Sequence, residues 1–165
     1  MPIMDILEQN CARYGNDICL VEINPDISEK RRVTWKEYDL IEPDPLCHYR
    51  REISWNVFNE KANRFANLLK DRGIKKGDKV AILLMNCLDW LPIYFGILKT
   101  GALAVHLNFR YTADEIEYCL KLSESDALVF GHSFIGRVEE IADHLDDSCL
   151  LFFVGDTAPT FAENY

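Results

Sequence analysis

Positive charge is scarce in this sequence. Its 18 lysines and arginines stand against 27 aspartates and glutamates, a formal net charge of −9. That balance argues against a nucleic acid or an anionic membrane surface as partner, since both require basic patches. Glycine is sparse and scattered: the eight glycines, at 15, 73, 77, 96, 101, 131, 136 and 155, form no GxGxxG and no GxxxxGK[ST]. Neither a dinucleotide fingerprint nor a P-loop is present, and no GxSxG nucleophile elbow occurs. The six cysteines, at 11, 19, 47, 87, 119 and 149, contain no CxxC pair, and the four histidines, at 48, 106, 132 and 144, stand at no ligand spacing from them. A zinc site is not expected. The apolar stretch 88–107 is broken by Asp89, Lys99 and Gly101, which makes it a buried helix plus strand and not a membrane span. Asp5 and Glu8 interrupt the N-terminus, so no signal peptide is expected there. The thiols therefore read as reduced and the compartment as cytoplasmic.

What the sequence does contain is an ordinary globular composition, 48% apolar and 27% charged over 165 residues. One domain with a real core is expected. The chain is organised around residues 79–108. Residues 79–84 form a short apolar run suited to a strand buried on both faces. A helix follows, with Asn86 as its cap, Asp89 in its first turn, Lys99 in its last and Gly101 closing it. Residues 102–107 make a second apolar strand, and a crossover of this length joins parallel strands. From 88 to 98 the only charge is Asp89. A helix apolar all round must be covered all round, and a chain this short is expected to leave part of that surface open for a partner.

The flanking stretches follow from similar patterns. A helix is expected over 4–14 and a strand over 18–23, then a turn at Asn24-Pro25-Asp26. Residues 32–38 and 52–58 echo each other, each a β-branched residue, a hydroxyl residue, Trp and then an aromatic; two unrelated strand-to-turn junctions explain this adequately. Residues 39–50, with Pro43 and Pro45, read as a surface excursion without regular structure. Ser54 caps a helix over 55–72 whose apolar stripe is Phe58, Ala62, Phe65, Ala66 and Leu69, closed by Gly73. Thr112 and Glu115 form a capping box ahead of a helix that carries Ile116, Cys119, Leu120 and Leu122. A third strand at 126–130, a helix at 134–145 and a fourth strand at 149–154 complete the series. Residues 155–165 read as a linker-like tail. The fold class is α/β, a parallel sheet flanked by helices. A small β-rich extension occupies 1–50, the β/α core 51–154. Ligands in such sheets bind at the carboxyl ends of the strands, here 84–87, 107–110, 130–133 and 154–157.

No catalytic constellation stands out among these residues, and no metal site. Gly131-His132-Ser133 is the nearest thing to an anion cradle, and an ordinary helix cap explains it equally. His106 sits near the carboxyl end of an apolar strand, either as a strand histidine with a hydrogen-bonded ring or as a polar group at a pocket edge. Asn108 and Arg110 follow on the same loop. Arg110 could hold a phosphate or carboxylate bidentately, or could simply be a surface arginine.

Several stretches taken together resemble a known family. Ile53-Ser54-Trp55 opening a helix, NEKANRFANLLKDRGIKKGDKVAILLMN, GILKTGALAVHLN and RYTADEIEYCLKLSESDALVF are similar to the acyl-adenylate-forming enzymes, which include acyl-CoA synthetases, peptide-synthetase adenylation domains and luciferases. The likeness covers about residues 50 to 131, and LKTGA followed by a strand and Asn-x-Arg is its most specific part. The resemblance implies the N-terminal subdomain of an acyl-CoA synthetase-like fold. It also implies ATP-dependent conversion of a carboxylate to an acyl-adenylate and then, with CoA, to a thioester, with Mg2+ accompanying ATP. His106, Asn108 and Arg110 would lie near the substrate or CoA. His106 and Phe109 depart from the prolines common in the family, and 29–52 is longer than its usual strand-turn-strand. The Ser/Thr/Gly-rich phosphate loop, the adenine motif, the ribose-binding aspartate and the lid lysine of the family have no counterpart in these 165 residues. The expectation is a single incomplete subdomain over 1–165, inactive alone and binding no cofactor by itself. It would be completed by the remainder of a ligase or self-associate through its apolar face. The alternative is an interaction module that docks on a partner through that same face.

Overall fold

The computed structural model describes residues 3–23, 31–35, 38–42, 50–146 and 148–165. In chain order, helix α1 (Ile3–Tyr14) leads into strand β1 (Ile18–Ile23). Strands β2 (Arg31–Trp35) and β3 (Tyr38–Glu42) pair antiparallel with each other. Strand β4 (Arg50–Ser54) pairs antiparallel with β1, and the register slips between Ile18 and Leu20. The expectation of no regular structure at 39–50 is therefore corrected for residues 39–42 and for Arg50, which opens β4; 43–49 lie outside the described residues. The two echoing segments also diverge: one is β2, whereas Ser54 ends β4 and caps the helix after it.

That helix is α2 (Trp55–Asp71), and the Ser54 hydroxyl accepts the Val57 amide at 3.3 Å. Its expected stripe is its buried face, and Gly73 adopts φ of 92° just past the end. Five parallel strands then form the main sheet: β5 (Lys79–Leu83), β6 (Leu103–His106), β7 (Ala127–Gly131), β8 (Leu150–Val154) and β9 (Glu163–Asn164). Between them run α3 (Trp90–Thr100), α4 (Ala113–Ser123) and α5 (Ile135–Ala142), the last preceded by a 3-10 turn at His132–Phe134. The strand order is β6-β5-β7-β8-β9.

Period-two alternation sorts the strand side chains into two cores. Val80, Ile82, Ala127, Val129 and Phe152 face α2 and α3. Ala81, Leu83, Leu128, Phe130 and Phe153 face α4 and α5. The molecule is thus three-layered around the sheet, and each fully buried branched or aromatic side chain contributes on the order of 1.5–3 kcal/mol. A third cluster, Leu7, Ile53 and Phe58, ties α1, β1 and β4 to the outer side of α2 and α3.

Helix α3 departs from expectation twice. It begins at Trp90, with Asp89 as its flanking residue and no side-chain cap. Pro92 explains this: proline lacks an amide hydrogen and is tolerated only in a helix's first turn, so a start at Asn86 would put it in the interior. The second departure concerns coverage, since no residue of α3 is exposed. Ile93 and Ile97 face the sheet, while Leu91 and Phe95 meet the N-terminal cluster. Trp90 and Tyr94 lie against the His106 ring at 5.2 and 5.4 Å between centroids. The open apolar face expected for a partner or for self-association is not found on this helix.

Helix α4 and the tail complete the comparison. The capping box at Thr112 and Glu115 forms as expected, and Ala113, Ile116 and Leu120 are buried, but Leu122 is 69% exposed. Two residues beyond Leu120, it has turned to the opposite side of the helix. The tail is no linker: β9 pairs with β8, Glu163 is paired with Arg72, and the Tyr165 amide bonds Phe153 O at 2.9 Å.

Two glycines test the packing with opposite signs. A Cβ at Gly96 would come within 3.0 Å of Ala62 O and the Phe65 ring, where α2 and α3 touch; at Gly136 nothing lies within 4 Å. Gly96→Ala is expected to cost about 1–3 kcal/mol by overpacking. Gly136→Ala is expected to stabilise by about 0.4–1 kcal/mol, because only unfolded-chain entropy changes. Urea unfolding followed by circular dichroism measures both.

Candidate functional site

Strand order decides where a ligand can enter. From β5 the chain crosses to β6 through α3 on one face; from β7 it crosses to β8 through α5 on the other. The segments leaving β5 and β7 therefore diverge, opening a crevice at the carboxyl ends of neighbouring strands. A cleft of roughly 450 Å³ occupies this position, lined by residues after β5 (Leu84, Met85, Cys87), after β7 (131–134) and after β8 (154–156). Three of the four strand ends expected to border a ligand are brought together. The fourth, 107–110 after the edge strand β6, is not part of the lining.

One wall is built by charge. Lys61, on α2, places Nζ 2.6 Å from Asp89 Oδ1 at the start of α3. The Tyr165 hydroxyl approaches the same oxygen at 3.4 Å, and its ring stands edge-on to Phe65 at 5.2 Å. Asp89 is not needed to cap α3, so its carboxylate is available to fasten α2 and the C-terminal residue to one point. Burial, then the Asp89 carboxylate, push the Tyr165 phenol well above the usual tyrosine range. Sequence reasoning missed this cluster, though one signal was present. Lys61 lies three residues after Phe58 and four before Phe65, a cation on the edge of an apolar stripe.

The opposite wall mixes polar groups with the Asp156 carboxylate. Gly131, His132 and Ser133 line it at the 3-10 turn. The Cys87 thiol also lines the cleft, but burial pushes its pKa up. Burial likewise raises Cys11 and Cys19, and takes Cys149 to about 11. All five described cysteines are free thiols, and burial disfavours the thiolate of these four, which slows nucleophilic attack. Among the described residues no group of three or more His, Cys, Asp or Glu side chains could hold a metal ion. No helix of the described residues is long and apolar enough to cross a membrane.

His106, Asn108 and Arg110 fall outside the cleft, on the sheet's β6 edge. The exposed His106 ring stacks on Trp90 at 17° between planes. Asn108 Oδ1 accepts the Arg110 amide at 3.0 Å, shaping the loop, and the Arg110 guanidinium sits 5.1 Å from the Phe109 ring centroid. Arg137 Nη1 braces the same loop through the carbonyls of Phe109 and Tyr111, at 2.9 and 2.8 Å.

Residues 42–160 match the family model of the AMP-binding enzymes. The chain belongs to the AMP-binding enzyme family. Curated relatives include a medium/long-chain-fatty-acid–CoA/3-oxocholest-4-en-26-oate–CoA ligase of Mycolicibacterium smegmatis, 35% identical over 105 residues, covering 64% of this chain and 19% of the relative. A crotonobetaine/carnitine–CoA ligase of Salmonella paratyphi C is 39% identical over 98 residues, covering 59% of this chain and 19% of the relative. The crystal structure of an anthranilate CoA ligase in complex with anthranoyl-AMP superimposes with a TM-score of 0.77 at 24% identity, over 99% of this chain and 27% of that one. The three-layer sheet is thus a known part of this AMP-binding fold. The matched segments span about a fifth of the length of these curated relatives.

The Tyr165 anchor has a pH signature. A phenol whose folded pKa is raised contributes stability that is complete below the unfolded value of about 10 and is lost as pH rises past it. Tyr165→Phe is expected to stay within about 0.5 kcal/mol of the parent at pH 7, since the 3.4 Å hydrogen bond is long. The variant should lose less stability than the parent between pH 10 and about 12. Urea midpoints across that range measure the difference.

Proposed function

We propose that this chain forms the N-terminal part of an ATP-dependent ligase that joins a carboxylic acid to CoA, and that it does not activate the acid by itself. In the reaction, a carboxylate oxygen attacks the α-phosphorus of ATP, the bond to the β-phosphate bridge breaks, and pyrophosphate leaves. The CoA sulfur then attacks the acyl carbon, the acyl–phosphate bond breaks, and AMP departs as the thiol proton is lost. The family match and the CoA ligases among the relatives support this assignment.

The chemistry of the cleft carries the second half. Phosphoryl chemistry needs preorganised donors around the developing charge. The cleft offers one glycine and one serine on the loop after β7, and its cations Arg51 and Lys61 are outnumbered by Glu22, Asp89 and Asp156. Lys61 is already committed to Asp89. Among the described residues no group of three or more His, Cys, Asp or Glu side chains could hold a metal ion, so a magnesium ion here would draw most of its ligands from the nucleotide's phosphates and water. The role of this chain's own residues is architectural: the divergence at β5 and β7 opens one side of a ligand crevice, and Lys61, Asp89 and Tyr165 hold its wall.

His106, Asn108 and Arg110 are proposed to border the path of the acyl substrate or CoA from the β6 side. Their exposure, the braced loop and the aromatic pair beneath His106 support this. A cytoplasmic setting, where thiols stay reduced, is part of the same reading, and the five free cysteines accord with it.

The test is ATP–pyrophosphate exchange by the purified 165-residue chain with fatty, aryl and betaine-type acids. No exchange above background is expected with any acid. Acid-dependent exchange would show that these residues suffice and overturn the proposal.

A further inference from the structure

Two cysteines outside the cleft converge on one short stretch of backbone. Cys11 lies on α1 and Cys19 on β1. Cys11 Sγ donates to Trp55 O at 3.3 Å, and Cys19 Sγ donates to Ile53 O at 3.4 Å. Those carbonyls belong to residues on either side of Ser54, the cap of α2. Both cysteines pack against the same small cluster of Leu7, Ile53 and Phe58. Cys19 falls where the β1/β4 register slips, between Ile18 and Leu20, and a bulge re-aims the side chain it carries. Burial holds Cys19 protonated, and the Cys11 sulfur adds to it.

From this arrangement we infer that Cys11 and Cys19 are a dithiol pair that hydroperoxides oxidise to an intramolecular disulfide, locking α1 to β1 over the start of α2. The Cys11 sulfur, as thiolate, attacks a peroxide oxygen. The O–O bond breaks, water or an alcohol leaves, and the sulfur becomes a sulfenic acid. The Cys19 sulfur then attacks the Cys11 sulfur, the S–O bond breaks, and the hydroxide leaves as water with the Cys19 proton. Two thiols are oxidised and one peroxide is reduced. At Cys11 the Lys99 ammonium partly offsets the burial that disfavours the thiolate, and backbone hydrogen bonds act in the same direction at Cys19, so the two roles can exchange. Burial makes the first step slow at neutral pH, so the pair responds to sustained oxidant, and a thiol reductant restores it.

The experiment is peptide mapping of the native 165-residue protein after treatment with hydrogen peroxide and alkylation. Trypsin cuts after Arg13, between the two cysteines, so a link appears as two peptides joined only until reduction. The same oxidation in urea provides the comparison. The 11–19 link is expected to exceed every other cysteine pairing in the native protein by about tenfold, as proximity raises effective concentration, and to take a clearly larger share there than in urea, where only the short loop between the two cysteines favours it. Oxidation of Cys11 and Cys19 to separate sulfinic or sulfonic acids, or a native pairing pattern no different from that in urea, would overturn the inference.

Discussion

Everything in this molecule follows from two strands that must be hidden on both sides. In β5 and β7 every residue from Val80 to Leu83 and from Ala127 to Phe130 is buried. No single layer of helices can do that, so α2 and α3 take one face and α4 and α5 the other. Supplying both layers requires the chain to leave β5 and β7 in opposite directions. The crevice at their carboxyl ends is the geometric consequence of that divergence, and any ligand site built there inherits its position from core packing.

The crevice is then shaped by how α3 is held. A helix with almost no polar surface is enclosed by the sheet, by α2 at Gly96, by the N-terminal cluster and by the His106 ring. Its one acidic residue, Asp89, is turned outward to Lys61 and Tyr165 at the cleft wall. Packing and site are thus coupled through a single helix, whose apolar face sets the layer and whose N-terminal end borders the ligand space.

Much of the fold was legible because its local signals agree with one another. Ser54, Thr112–Glu115, Gly73 and Gly101 announced helix ends, and the apolar runs of β5 and β7 announced a sheet covered twice. What was misread had a competing physical cause. Pro92 outweighed Asn86 in fixing the start of α3. β9 is two residues long and carries no period to detect; it is held by pairing with β8 and by Arg72, which is far away in sequence. The cleft wall was hidden for a similar reason. Lys61, Asp89 and Tyr165 are distant in sequence, and only the edge position of Lys61 on its stripe hinted that it had a task. The family resemblance carried by GILKTGALAVHLN and its neighbours matched the family found over 42–160.

Membership in the AMP-binding family and the character of the cleft fit together. The chain supplies a rigid, doubly covered sheet with a crevice at its switch point, and the crevice is poor in donors for phosphate. Backbone amide hydrogen exchange of the 165-residue chain tests the double coverage most directly. The slowest amides should be those of 80–83 and 127–130 together with the α3 interior, with β6 and β9 at the sheet edges exchanging much faster. If β5 and β7 exchanged as readily as those edges, the two helical layers would not be closing on the sheet, and the origin assigned here to the crevice would be wrong.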